Sequence, residues 1–163
     1  MTIRPDWEIA IAVARLPIEP WIGKAWRYHR AADRFPPDQT WPALYLGLSY
    51  GVCMAETMRH LPKDAPFSML TTFYLSEIEV SLRALIDCRD VTVLGIALGD
   101  LLRDRDYDAG QQLAAAVRAR GCDGLLVPSA TLLPDAALIV FPDVIQPNAL
   151  RLVRSMAPRI EGL

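Results

Sequence analysis

The chain has 163 residues, 52% of them hydrophobic and 22% charged, with a formal net charge of −2. That length is one domain's worth, and the composition excludes global disorder. A pI near 5.7 argues against direct nucleic-acid binding through a broad basic face.

Strongly apolar stretches such as Ala136–Phe141 are far shorter than the roughly 20 residues of a membrane span. The start MTIRPDWEIAIAVARLP has no basic region ahead of its short apolar run, so no secretory leader is expected and the expected location is the cytoplasm. In chain order, Asp6–Leu16 is expected to be an amphipathic helix, with Trp7, Ile9, Ile11, Val13 and Leu16 mostly on one side and Pro17 to stop it. The proline-rich run Phe35–Pro42 predicts an extended loop. Ala43–Leu46 predicts a short buried strand, and Ser49 an N-cap for a helix running to about His60.

Ser68–Leu75 reads as a strand rich in Thr and aromatics, and Ser81–Ile86 as another. Val91–Leu102 favours a helix. Asp108 is expected to cap a helix to Arg120, with Leu113, Ala116 and Val117 inward and Gly121 just past its end. Gly124–Val127 and Ala137–Phe141 predict two short apolar strands, and Asn148–Met156 a last helix. The irregular alternation suggests a single-domain α+β fold around a mostly antiparallel or split sheet.

Lys24, Arg27, Arg30 and Arg34 place four cations in eleven residues against one acid, Asp33. Such a concentration in a nearly neutral chain is a candidate seat for a small anion. The reverse holds from Glu77 to Asp108, with eight acids against four arginines. The three cysteines, Cys53, Cys88 and Cys122, lie 35 and 34 residues apart; they read as small buried thiols rather than a disulfide framework. With only His29 and His60 beside them, no metal-ligand spacing exists and no metal is expected.

No phosphate-cradling glycine motif and no nucleophile elbow occurs. Four features remain as candidates. Trp26-Arg27-Tyr28-His29-Arg30, followed by Arg34-Phe35, sets arginine forks beside aromatics that can stack on a ring. Tyr45 is either a core tyrosine or a pocket residue. Glu56 lies on a helix among Val52, Cys53, Met54, Ala55 and Met58. A carboxylate in such company pairs with an arginine or points into a pocket. Ser129, after the first apolar strand, is either a turn serine or a hydroxyl placed to meet a ligand.

Together these features resemble the RES family, the toxin halves of bacterial RES–Xre toxin–antitoxin operons, named for an arginine, a glutamate and a serine. The resemblance runs from about Gly23 to Asp143. It rests on Trp26-Arg27-Tyr28, Arg34-Phe35, Leu44-Tyr45-Leu46 and Ala55-Glu56. It continues through Tyr107, Gln111 and Leu113-Ala114, then Asp123-Gly124-Leu125-Leu126-Val127-Pro128-Ser129 and Leu138-Ile139-Val140-Phe141.

The resemblance implies a split, mostly antiparallel sheet with flanking helices, similar to ADP-ribosyltransferases. It implies NAD+ as substrate, cleaved between nicotinamide and ribose, and an Xre-like helix-turn-helix antitoxin as partner. The outcome is either NAD+ depletion by hydrolysis or phosphorolysis, or transfer of ADP-ribose to a protein; a binding-only module is the further alternative. Arg27, Glu56 and Ser129 become the expected catalytic residues. Arg27, Tyr28, Arg34, Tyr45 and Ser129 become the NAD-binding set, with Arg30 the alternative to Arg34 as second arginine. The expected organisation is a helical extension over residues 1–22, a catalytic domain over 23–145 and a C-terminal helix or tail over 146–163.

Overall fold

Two runs of apolar residues, Gly124–Pro128 and Ala136–Val140, set the architecture because nearly every residue in them is buried. A strand apolar on both faces needs a layer on each side. In the computed structural model, which describes residues 2–4, 7–14, 26–32, 34–60, 64, 74–103 and 106–156, both layers are present. The strands are β1 (Thr2–Arg4), β2 (Trp7–Ala14), β3 (Leu44–Gly47), β4 (Tyr74–Leu82), β5 (Leu85–Asp87), β6 (Gly124–Pro128), β7 (Ala136–Val140) and β8 (Leu150–Met156). The helices are α1 (Tyr50–His60), α2 (Leu98–Leu102) and α3 (Asp108–Arg118), with single 3₁₀ turns at Pro37–Gln39 and Val91–Leu94.

One sheet has the order β1-β5-β6-β7-β3 and the other β2-β4-β8. All pairings are antiparallel except β5 with β6. The fold is α+β with a split, mostly antiparallel arrangement. Leu125, Val127, Ile139 and Phe141 face one way, toward Leu101 of α2 and Ala114 and Val117 of α3. Leu126, Leu138 and Val140 face the other way, toward Ile78, Val80 and Leu82 of β4. Gly124 lets β6 and β7 approach, since a Cβ there would run into the Ile139 carbonyl.

The chain passes from one sheet to the other at Arg83-Ala84, between β4 and β5. Asp123, 1% exposed, holds that corner. Its carboxylate accepts the main-chain N–H of Arg83 (2.6 Å) and of Ala84 (3.3 Å) and the Arg83 guanidinium (2.8 Å). Its own N–H donates to the Ala84 carbonyl, and its carbonyl accepts from Phe141 N–H. The Asp-Gly pair of the sequence motif is therefore an architectural device.

Several expectations are corrected. Trp7–Ala14 is a strand, not a helix: its large residues stand at 7, 9, 11 and 13, a two-residue period that suits a strand. Asn148–Met156 is also not a helix. Asn148 takes a positive φ of 67°, and Leu150–Met156 pairs with β4. The expected strand at 81–86 is interrupted at Arg83-Ala84, with 81–82 ending β4 and 85–86 opening β5; of the expected strand at 68–75, residues 74–75 open β4 and residues 68–73 lie outside the described residues. Glu77 and Glu79 break the apolar pattern of β4, but they pair across it with Arg154 and Arg151 of β8, while Ser76, Ile78, Val80 and Leu82 turn inward. Finally, Asp108 begins α3 rather than capping it. Asp106 accepts the Asp108 N–H, and Ala116 is exposed whereas Ala114 is buried.

Elsewhere the expected elements stand: β3, α1 with Ser49 Oγ accepting Val52 N–H (3.2 Å), β6 and β7. The expected helix at Val91–Leu102 is a 3₁₀ turn followed by the short α2. The three cysteines are buried and free. Burial, with Asp87 nearby, pushes the Cys88 thiol up to about 12. Replacing Asp123 by Ala leaves two main-chain donors and an arginine without their acceptor, and is expected to lower stability by about 3 kcal/mol. Urea unfolding measures this, with Arg83→Ala as the control expected to cost much less because its side chain is solvated.

Candidate active site

The turn Trp26–His29 carries Arg27 and Tyr28 and is closed by main-chain bonds between Trp26 and His29 (3.3 and 3.4 Å). Three side chains distant in sequence hold it. Gln111 of α3, buried, donates through Nε2 to the carbonyls of Trp26 (3.0 Å) and His29 (3.2 Å). The Trp41 indole N–H donates to the Tyr28 carbonyl (3.1 Å). The Tyr45 hydroxyl accepts the Tyr28 N–H (2.9 Å) and lies 3.0 Å from His29 Nδ1. Gly110, one residue before Gln111, makes room: a Cβ there would run into the Arg27 carbonyl and come within 3.2 Å of Tyr28 Cε1.

The Arg27 side chain is buried, with Nη1 2.5 Å from the Leu101 carbonyl and 2.6 Å from that of Arg103. Carbonyls at a helix end lack helical donors and carry partial negative charge, so they suit a guanidinium. Its Cζ stands 5.3 Å from the centre of the Tyr107 ring. Burial lowers the Arg27 pKa below its ordinary value, Arg59 adds to this, and Tyr28, Tyr107 and Glu56 oppose it. Arg27 and Glu56 thus share one electrostatic neighbourhood. Burial raises the Tyr28 hydroxyl, against the pull of Arg27, and also raises that of Tyr45.

Glu56 is half-buried on α1, on the same face as the fully buried Val52; the His60 side chain lies outside the described residues. Its Oε1 accepts the hydroxyl of Thr131 (2.9 Å). The Thr131 hydroxyl lies in turn 3.2 Å from that of Ser129, which is fully buried at the end of β6. Ser129 Oγ also accepts the N–H of Thr131 (3.3 Å) and of Leu132 (3.1 Å).

The structure brings Arg27, Tyr28 and Tyr45 together, and joins Glu56 to Ser129 through Thr131. The two arginines left open by the sequence differ in setting. Arg30 is stacked at 4.8 Å from the Phe35 ring centre and 5.3 Å from that of Trp41, with Nε 3.4 Å from Gln111 Oε1. Arg34 is exposed. The Tyr45 hydroxyl braces the turn, which is the core-tyrosine alternative in a specific form. Sequence reasoning missed Thr131. The only signal for it was its place two residues after Ser129, in a loop whose path the sequence does not reveal. Gln111 was part of the motif pattern, but its grip on a turn 82 and 85 residues away is a tertiary fact.

The sequence matches the RES domain over residues 12–159. The chain belongs to the RES domain family. A chain in the crystal structure of the M. tuberculosis MbcT–MbcA toxin–antitoxin complex aligns with a TM-score of 0.74 at 21% identity, covering 94% of this chain and 86% of that chain; the likeness is one of fold. No curated relative matches the sequence. In this RES domain, the arginine turn, the glutamate helix and the serine loop come from three separate stretches of chain. Among the described residues, no cluster of His, Cys, Asp and Glu could hold a metal, and no helix is long and apolar enough to cross a membrane.

Gly110→Ala is expected to force α3 away from the Arg27 turn and to cost about 1–3 kcal/mol. Differential scanning calorimetry measures this, and an unchanged melting temperature would contradict the close approach.

Proposed function

We propose that this chain is an NAD+-cleaving toxin that breaks the bond between nicotinamide and ribose, depletes NAD+ by hydrolysis or phosphorolysis, and is neutralised by an Xre-like helix-turn-helix antitoxin. RES membership supports the reading, and the structural neighbour comes from a toxin–antitoxin complex. The observation that carries it is the Glu56 carboxylate, held by the Thr131 hydroxyl in the same electrostatic neighbourhood as the buried Arg27.

Nicotinamide departs as a neutral group and leaves an oxocarbenium-like ribose, as in glycoside cleavage. A carboxylate fixed beside that ribose lowers the barrier by opposing the developing positive charge. Glu56 is the group for this role. Arg27, with the exposed Arg34, meets the pyrophosphate, whereas Tyr28, 2% exposed, lies in the core and supports the Arg27 turn from within rather than touching the ligand. Arg34 takes the second arginine's place because the Arg30 guanidinium is stacked on Phe35 and Trp41. Tyr45 acts by bracing the Arg27 turn, and Ser129 by organising the loop that meets Glu56.

The test is nicotinamide release from NAD+ by the purified protein, with phosphate present and the products resolved by mass. Wild type is expected to release nicotinamide. Glu56→Gln, checked for native circular dichroism, is expected to lose at least about 100-fold in rate. Free ADP-ribose identifies water as acceptor, its phosphate identifies phosphorolysis, and a mass-shifted protein identifies transfer. Full turnover by a folded Glu56→Gln protein would overturn the role of Glu56. Saturable NAD+ binding without release would make the chain a binding module.

A further inference from the structure

The hydroxyls of Ser129 and Thr131 form a chain whose direction follows from counting donors and acceptors. A hydroxyl has one proton and two lone pairs. The Ser129 oxygen already accepts two main-chain N–H groups, from Thr131 and Leu132. Its contact with Thr131 Oγ1 at 3.2 Å is therefore the one in which Ser129 donates. Thr131 receives that bond, and its own single proton is committed to Glu56 Oε1 at 2.9 Å. The order is Ser129 to Thr131 to Glu56, and it ends on an acceptor-only carboxylate.

From this geometry we infer that Thr131 is the positioning residue for Glu56, and that Ser129 acts on the carboxylate through Thr131. The inference deepens the NAD+-cleaving reading and rests on it for the identity of the reaction. Its physical content is preorganisation. Glu56 sits on α1, whereas Ser129 and Thr131 sit on the loop after β6, so this bond links the carboxylate to the loop across two separate elements. A half-buried carboxylate that swings between rotamers spends part of its time out of reach of the ribose. One donated hydrogen bond from a hydroxyl that is itself held selects the rotamer in advance. Proper placement matters at the transition state more than in the ground state, so the effect falls on kcat rather than on KM.

Two readouts test this, one of them independent of turnover. Thr131→Val removes the hydroxyl at nearly constant shape, and Thr131→Ser restores it. In nicotinamide release, Thr131→Val is expected to lower kcat by about 10- to 100-fold, the range for a hydrogen bond to a charged group. KM for NAD+ is expected to stay within about threefold, and Thr131→Ser to recover most of kcat. Without substrate, the 13C resonance of Glu56 Cδ, assigned by its loss in Glu56→Gln, is expected to shift in Thr131→Val and to return in Thr131→Ser. A folded Thr131→Val protein with unchanged kcat overturns the positioning role while the NAD+ reading stands. An unmoved Glu56 resonance overturns it whatever the turnover. A resonance that moves as expected in Thr131→Val, when the wild-type protein releases no nicotinamide, supports the Thr131–Glu56 linkage and removes the NAD+ reading instead.

Discussion

The carboxylate of Asp123 holds the corner on which both sheets depend. It collects two main-chain N–H groups and a guanidinium where the chain leaves β4 for β5, and its own main chain ties to Ala84 and Phe141. A carboxylate taken out of water needs such a full set of donors, and a corner of irregular backbone needs an acceptor that secondary structure cannot supply. One residue satisfies both needs. The next residue starts β6, the strand with layers on both faces, and the far end of β6 delivers Ser129. The geometry of the candidate site is thus set at one end of a strand whose other end is the corner.

The second constraint is the short turn that carries Arg27. Such a turn has few bonds of its own, and here Gln111, Trp41 and Tyr45 supply them from α3, the Pro-rich loop and β3. Gln111 is suited to this because its amide offers two donors, and both are used on carbonyls of the turn while its oxygen faces Arg30. Trp41 adds a stacking surface that Arg30 and Arg118 both approach at 5.3 Å, so cation–π contacts as well as hydrogen bonds hold the surroundings of the turn. Arg27 is consequently fixed at its base by the turn and at its tip by the carbonyls of Leu101 and Arg103 at the end of α2.

Much of this was legible from the residues. The apolar runs at 124–127 and 137–141 and the capped helix after Ser49 carry their own local signals, and they form where expected. Trp7–Ala14 was also legible in principle, since its large residues alternate, but their apolar character invited a helix. β8 was not legible. Arg151 and Arg154 have no local reason to lie in a strand until Glu79 and Glu77 of β4 stand opposite them. The candidate site divides in the same way. Arg27, Glu56 and Ser129 stand out through the family motif, whereas Thr131 has no motif of its own.

The sequence by itself determined the α+β class, the family, and the residue types on offer: an arginine turn among aromatics, a carboxylate on an apolar helix and a hydroxyl after a buried strand. These are local properties, written in periodicity, composition and short motifs. Only the tertiary structure decided which groups meet. It stacked Arg30 on Trp41, left Arg34 exposed, turned the Tyr45 hydroxyl to the Tyr28 amide, and set Thr131 between Ser129 and Glu56. The reason is that hydrogen bonds between groups 75 or more residues apart, such as Thr131 to Glu56, depend on how the layers pack, and no local pattern records that packing.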